Sequence, residues 1–335
     1  MKIVILIPLG SRTGGPEALH QIAHALLQQG YDVIVWYVLP SDIDSIKELY
    51  NQGQLSSQTI LNIGSRPSDI EEYKQYRTVT EEQIHLSKNM CFVIPEVYIE
   101  LVKYFDFCSN LIWWLSVDNA FGYLANGQVN LNYLRKRNCF HGYQSDYARR
   151  FLEAINLSQN FPLSDYTPGN QKANKYFVKN SISINAGSKV IFNVEEIAKQ
   201  IQDICNCEVH LLRNMTRDEV YQCLEASKIY IDLANFPGKD RMPREALIRG
   251  ACVFVTASGA GTGKDFNLPS EFIFNVNNVA MIADSAKYVF ENYEFYLNLM
   301  QPAVNHVRQE ELIFQQEVSS IMRFITDNKQ LRVTL

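Results

Sequence analysis

Residues 236–250 read FPGKDRMPREALIRG, and the fold turns on what stands on either side of them. Before them runs Ile229-Tyr230-Ile231-Asp232-Leu233, and after them Ala251-Cys252-Val253-Phe254-Val255-Thr256, two apolar segments each the length of a buried strand. Pro237-Gly238 marks a turn, Pro243 suits the first turn of a helix, Glu245 to Ile248 continue it, and Gly250 stops it. Strand, loop, short helix and strand make the repeating unit of a parallel α/β sheet. The loop of such a unit lies at the carboxyl end of its strand, where open α/β sheets bind ligands. Lys239, Arg241 and Arg244 crowd this loop beside the backbone N–H groups of a helix start, which suits a phosphorylated ligand. A solvated basic loop with ordinary capping would use the same residues.

Composition sets the class around that unit. At 335 residues the chain exceeds the usual single core, so two domains are expected. Its apolar share of 47% and charged share of 20% are those of an ordinary globular protein. A net charge of -5 argues against a general nucleic-acid binder, and no nucleic-acid partner is expected. The seven cysteines are scattered and lack zinc spacing, which points to reduced thiols in the cytoplasm. The opening MKIVILIPLG is too short to cross a bilayer and reads as a first strand.

Outward from there, residues 3–7 predict a strand, Pro8 to Gly15 a glycine loop, Pro16 to Gln29 an amphipathic helix capped by Gly30, and Asp32 to Val38 a second strand. The dinucleotide spacing G-x-G-x-x-G is absent. Helices are expected over 42–52, 70–76, 96–104 and 147–154, and strands over 90–94, 110–116 and 139–143. Residues 156–180 read as a linker. The pattern then restarts with a strand at 190–194, a helix at 195–204, a strand at 208–212 and a helix at 216–225 opened by a capping box, Thr216 with Glu219. A second glycine loop, SGAGTGK at 258–264, a strand at 271–276 and helices from 280 onward complete the chain. Two α/β halves, each with a glycine loop, predict two Rossmann-like domains facing across a cleft.

Several stretches resemble a known family. TGGPEALHQIAHALLQQGYDVIVWYV (13–38) is similar to the N-terminal motif of GT-B glycosyltransferases. YQSDYARRFLEAINL, LSDYT and FPGKDRMPREALIRGACVFVT resemble bacterial sugar transferases of surface-polysaccharide synthesis, like those of glycosyltransferase families 1 and 4. These stretches cover about half the chain, and it is their joint occurrence that is specific. The resemblance implies the GT-B fold, with an acceptor domain at 1–165, a donor domain at 166–309, and a helix at 310–335 returning to the first domain. It implies transfer of a sugar from a nucleotide-sugar co-substrate to a glycan or lipid-linked acceptor, with no metal and no other cofactor. Retaining members carry two glutamates about seven residues apart. The later one, which meets the donor ribose, matches Glu245, and the earlier would fall at Gly238. Residues 192–194 also depart from the pattern, being followed by acids rather than a basic glycine turn.

Sugar transfer builds negative charge on the leaving phosphate, which cationic side chains and backbone dipoles can stabilise. The donor candidates are therefore Lys239, Arg241 and Arg244, with Glu245 for the ribose, Gly14 and Gly15 from the first domain, and Gly261, Thr262, Gly263 and Lys264 from the second glycine loop. An inverting reaction also needs a base for the acceptor hydroxyl, and Asp118 and Glu17 are the candidates, with a capping or dipole-facing acid the favoured reading of each. His20 and His24 share a helix face without a third metal ligand in view, and His141 reads as a core histidine. Phe121 and Tyr123 could stack on a sugar ring. Arg135-Lys136-Arg137 and Arg149-Arg150 suggest at most weak peripheral contact with an inner membrane, with an ordinary solvated helix face the favoured reading. The missing glutamate leaves open a catalytically degenerate partner subunit that binds a nucleotide sugar.

Overall fold

The computed structural model describes residues 1–64, 71–168, 178–187, 189–190, 192–262, 264–275 and 280–333. They divide into two units, Met1–Asp165 with Leu312–Leu335, and Tyr166–Glu311. Each unit is built on a fully parallel sheet.

The first unit contains β1 (Lys2–Pro8), α1 (Gly14–Gln28), β2 (Asp32–Val38), α2 (Pro40–Asn51), β3 (Ile60–Asn62), β4 (Gln83–His85), β5 (Met90–Pro95), β6 (Ser109–Trp114), α3 (Phe121–Ala125), α4 (Leu131–Leu134), β7 (Cys139–Tyr143), α5 (Asp146–Ala154) and β8 (Asn160–Pro162). The sheet order is β2-β1-β5-β6-β7-β8, with β3 and β4 forming a separate antiparallel pair. Ile3 to Ile7 and Phe92 to Ile94 are buried residue after residue, as a parallel sheet covered on both faces requires. Ala18, Leu19, Ile22, Ala23 and Leu26 bury the apolar face of α1. The chain leaves β1 towards β2 and returns on its other side as β5, so the carboxyl ends of β1 and β5 flank the point where strand order reverses.

The second unit contains β9 (Ser181–Asn185), α6 (Val194–Cys205), β10 (Glu208–Leu212), α7 (Arg217–Ala226), β11 (Ser227–Asp232), α8 (Arg241–Ile248), β12 (Cys252–Thr256), β13 (Ile273–Phe274), α9 (Ile282–Glu291), α10 (Tyr293–Leu299) and the start of α11 (Gln301–Val333). Its order, β10-β9-β11-β12-β13, places the reversal between β9 and β11. From Leu312 onward α11 belongs to the first unit, where Phe314 stacks on Trp113 and Phe324 lies against Phe140 and Phe161. There Glu317 accepts the Ser164 N–H at 2.7 Å and its hydroxyl at 2.8 Å.

The main correction to the sequence reading concerns how the second unit begins. No strand occupies the described part of 190–194: Val190 makes one isolated antiparallel bridge to Ala234, and Asn193 caps α6 by accepting the Glu196 N–H at 3.2 Å. The strand is instead Ser181-Ile182-Ser183-Ile184-Asn185, ahead of that position. Its isoleucines are fully buried, and so are its serines, because the Ser227 hydroxyl meets Ser183 at 2.7 Å and Ser181 at 3.2 Å. Hydrogen-bonded hydroxyls make a polar-looking segment compatible with a core strand. Smaller differences follow the same lines. The 96–104 helix is a 3₁₀ segment, Glu96–Lys103, broken at Tyr98. Of the helix expected over 70–76, residue 70 lies outside the described residues, and of the rest Glu71–Tyr73 forms a 3₁₀ turn. Of the 271–276 strand, Ile273 and Phe274 pair, and residue 276 lies outside the described residues.

Candidate functional site

In the second unit, the reversal point gathers the ends of β9 and β11. Asp232 closes β11 and accepts the Tyr230 hydroxyl at 2.6 Å, the Asn185 amide at 2.8 Å and the Ala234 N–H at 3.2 Å, which ties the two strand ends together. Burial pushes its carboxyl up to about 6, against the pull of the Tyr230 and Asn185 hydrogen bonds. After β9 the chain turns through Asn185-Ala186-Gly187 and reaches Lys189. Moving the strand therefore restores the basic glycine turn that residues 192–194 lacked. Lys189 Nζ lies 2.9 and 3.1 Å from the two oxygens of Asp240, the residue that opens α8.

The loop from Leu233 to Asp240 is held from below by the second glycine loop. The Ala260 N–H donates to Phe236 O at 2.9 Å, and Ser258 and Thr256 bond Asn235 and Ala234. A Cβ at Gly259 would sit 1.9 Å from Phe236 O, and one at Gly261 would sit 2.1 Å from Thr256 O. These glycines are thus required by backbone packing. The Gly261 N–H donates to Ser258 O and the Thr262 hydroxyl to Gly259 O, so both act within the loop. Lys264 is exposed, and Gly263 lies outside the described residues. Gly250, at φ 78°, ends α8 as the sequence requires: Ala251 N–H reaches Ala246 O and Gly250 N–H reaches Leu247 O.

The four charged candidates around α8 divide into two sets. Lys239 and Arg244 are buried against one carboxylate: Lys239 Nζ lies 2.8 Å from Glu310 Oε1, and Arg244 Nη1 lies 2.9 Å from Glu310 Oε2. Arg244 also donates to Lys239 O at 2.8 Å, and the Thr167 N–H donates to Glu310 at 3.0 Å. Both candidate cations thus belong to an ion cluster that fixes the loop. Arg241 opens α8, half-buried, on the turn that Asp240 begins. Glu245 is met from α7. Its Oε1 accepts the Tyr221 hydroxyl at 3.0 Å and Arg217 Nη2 at 3.3 Å, while the Arg249 guanidinium lies 3.7 Å from the centre of the Tyr221 ring.

In the first unit, the β1–α1 loop carries Gly14 and Gly15. The Tyr73 hydroxyl pins it, donating to Thr13 O at 3.0 Å and Ser11 O at 3.3 Å. A Cβ at Gly15 would meet only Leu115 Cδ1, at an ordinary 3.8 Å. Glu17 is 4% exposed and accepts the Tyr76 hydroxyl at 2.9 Å, so it lies inside the unit. Beside it His20 donates Nδ1–H to Pro16 O at 2.7 Å and accepts the Tyr37 hydroxyl at 2.9 Å; burial lowers its pKa, in keeping with a neutral ring. His24 accepts the Arg77 N–H at 2.9 Å. Asp118, in the 3₁₀ turn Val117–Ala120 after β6, accepts the Tyr147 hydroxyl at 3.0 Å. Glu96, at the end of β5, was not singled out from the sequence. It accepts Leu115 N–H at 3.1 Å and the Asn119 amide at 2.9 Å, and burial raises its carboxyl to about 7.

The remaining candidates sit in ordinary surroundings. His141 is a core residue, bonded to Leu134 O at 2.9 Å and to Trp114 Nε1 at 3.2 Å, and burial lowers it to about 4. Phe121 packs on Phe151, with ring centres 5.4 Å apart, and Tyr123 packs against the core of the first unit. Lys136 pairs with Asp106, Arg149 with Asp146 and Glu153, and Arg150 with Asp146. Among the described residues, no group of three or more His, Cys, Asp or Glu side chains is placed to share a metal ion.

No protein-family model matches the chain, and no curated protein sequence matches it significantly. Solved structures do. TarM aligns over 98% of this chain and 98% of its own at 9% identity, with a TM-score of 0.65. Sucrose-phosphate synthase from Thermosynechococcus elongatus aligns over 98% and 100% at 10% identity and 0.63. HepE from Anabaena, in complex with UDP, aligns over 96% and 100% at 12% identity and 0.60. Coverage of whole chains by proteins this diverged defines the class: the chain has the GT-B fold, with one Rossmann-like sheet in each unit.

Proposed function

We propose that the chain is a glycosyltransferase that moves a sugar from a nucleoside-diphosphate sugar to a glycan or lipid-linked acceptor in surface-polysaccharide synthesis, without a metal. The observation that carries this reading is Glu245 on α8, at the carboxyl edge of the second sheet, with Lys189 and Arg241 on the neighbouring turns. Proteins of the same fold support it, since HepE has been solved with UDP-glucose and a mutant of S. aureus TarM with UDP.

In this reading Glu245 accepts the ribose hydroxyls. Arg241 and Lys189 take the diphosphate together with the N–H groups that open α8. Lys239 and Arg244 shape the loop through Glu310. The sugar's anomeric carbon gains a bond from the acceptor oxygen and loses its bond to the phosphate oxygen, which leaves with the electron pair. Asp118 takes the acceptor proton, and Gly14 and Gly15 leave room for close backbone approach on the acceptor unit. Glu17, buried under Tyr76, supports the loop from inside.

Transfer and donor hydrolysis assayed with a panel of nucleotide sugars, after a thermal-shift screen with UDP, GDP, ADP, CMP and dTDP, test the reading. Stabilisation by one nucleotide, and release of that nucleotide from its sugar conjugate, are expected. Gly238, where the family's earlier glutamate would fall, favours a second reading as a degenerate binding subunit. Binding without turnover under every acceptor condition would select that one.

A further inference from the structure

Among the described residues, both side-chain donors to the Glu245 carboxylate converge on the same oxygen. Tyr221 and Arg217 reach Oε1, and among the described residues none donates to Oε2, although the side chain keeps a tenth of its surface accessible. Tyr221 and Arg217 stand four residues apart on one face of α7, and Arg217 Nε donates to the Tyr221 hydroxyl, which in turn donates its hydrogen bond to Glu245. The Arg249 guanidinium backs the Tyr221 ring while its Nη1 donates to the Glu245 backbone carbonyl at 3.0 Å, so the ring and the main chain that carries Glu245 share one brace. Burial raises the Tyr221 phenol to about 12, which keeps it a donor at neutral pH.

Resting on the assignment of Glu245 to the ribose, we infer that Arg217 and Tyr221 are positioning residues that occupy Oε1 and turn Oε2 alone towards the ligand. One carboxylate oxygen with two lone pairs can accept two adjacent hydroxyls. The pair thereby makes the site selective for a nucleoside diphosphate with an intact 2′,3′-diol. A freely rotating carboxylate would tolerate loss of one hydroxyl better, because its two oxygens can share whatever donors remain.

Calorimetric titration of the full chain with UDP, ADP and GDP, their 2′-deoxy counterparts and inorganic diphosphate tests this. The native chain is expected to bind one ribonucleotide, and to bind its deoxy counterpart about tenfold more weakly. Tyr221→Phe keeps the ring on Arg249 and removes only the hydroxyl. It should melt as the native chain does, bind the ribonucleotide about five- to tenfold more weakly, and bring the ribo-to-deoxy ratio towards one while inorganic diphosphate binds unchanged. Arg217→Gln should move both quantities in the same direction. Should Glu245→Gln weaken nucleotide binding while Tyr221→Phe and Arg217→Gln leave affinity and ratio intact, positioning is overturned and the ribose assignment stands. Equal losses of nucleotide and inorganic diphosphate in Tyr221→Phe overturn it too, since the effect would then be on the fold. A native chain that binds none of these nucleotides, or a Glu245→Gln chain that binds them normally, removes the ribose assignment and the positioning role together.

Discussion

Glu310 holds two buried cations on one carboxylate, and nothing in the sequence hints at it, because Lys239 and Arg244 are separated from Glu310 by almost half of the unit. Basic residues on a ligand-facing loop look alike whether they bind phosphate or brace the loop. Burial tells the two apart: Lys239 and Arg244 are enclosed with Glu310, whereas Lys189 meets Asp240 with half of its side chain exposed. Glu310→Ala should leave both charges buried without their carboxylate and cost about 3–5 kcal/mol, read by urea denaturation. Replacing Glu310, Lys239 and Arg244 together by apolar residues of similar volume should recover most of that loss. Glu96 is a second residue whose setting could not be read from sequence. Its folded pKa, about 7, stands above its ordinary value of 4.5, so the folded chain binds the extra proton between those limits. Glu96 therefore favours the fold at low pH, and that contribution is lost as pH rises from about 4.5 to about 7, on the order of 3 kcal/mol in full. His141, lowered to about 4, works in the opposite sense, losing stability as pH falls from 6.5. The difference between native and Glu96→Gln denaturation curves isolates the carboxylate. That difference should change across pH 5 to 7, and a flat difference would refute the assignment.

Glycines separate two kinds of loop at the scale of elements. The sequence places a glycine loop in each half, and both exist, but they serve different ends. Gly259 and Gly261 are fixed by the backbone packed against them, whereas the space at Gly15 would accept a methyl group. Gly259→Ala, at φ 53°, should therefore lower the melting temperature and disturb the Phe236 loop beneath α8, at a cost of about 1–3 kcal/mol. Gly15→Ala should melt as the native chain does yet lose transfer about tenfold, if that backbone meets ligand. Thermal unfolding and a transfer assay on both variants check the contrast; equal stability losses would contradict it. The elements best read from sequence were those whose burial is continuous, such as Ile3–Ile7 and Cys252–Thr256, or whose ends are chemically marked, such as the Thr216–Glu219 capping box. Ser181–Asn185 escaped because hydropathy cannot see the Ser227 hydroxyl that satisfies its serines. Once that strand is placed, Lys189 lies on the turn that follows it, against Asp240 at the start of α8.

Two runs of the strand–loop–helix pattern were enough to indicate the class of the whole molecule, since parallel strands linked by helices admit few arrangements. Surface chemistry is harder to read at that scale, because a run of basic residues in sequence says nothing about the acids that fold beside it. Arg135–Arg137 and Arg149–Arg150 looked like a modest attraction for an anionic membrane. In the structure Lys136 lies 2.6 Å from Asp106, Arg149 lies 2.7 and 2.6 Å from Asp146 and Glu153, and Arg150 lies 3.2 Å from Asp146. Each basic residue near an anionic surface contributes about 1 kcal/mol only while its charge is not already matched. With those pairs formed and a net charge of -5, the attraction should fall below what holds a protein on vesicles. The chain should therefore stay in the supernatant when sedimented with anionic vesicles at low salt, and a lipid-linked acceptor would have to be recognised through its sugar alone. Sedimentation at low salt that disappears at high salt would show that the pairs open at the surface, and would restore peripheral contact as part of how the acceptor is reached.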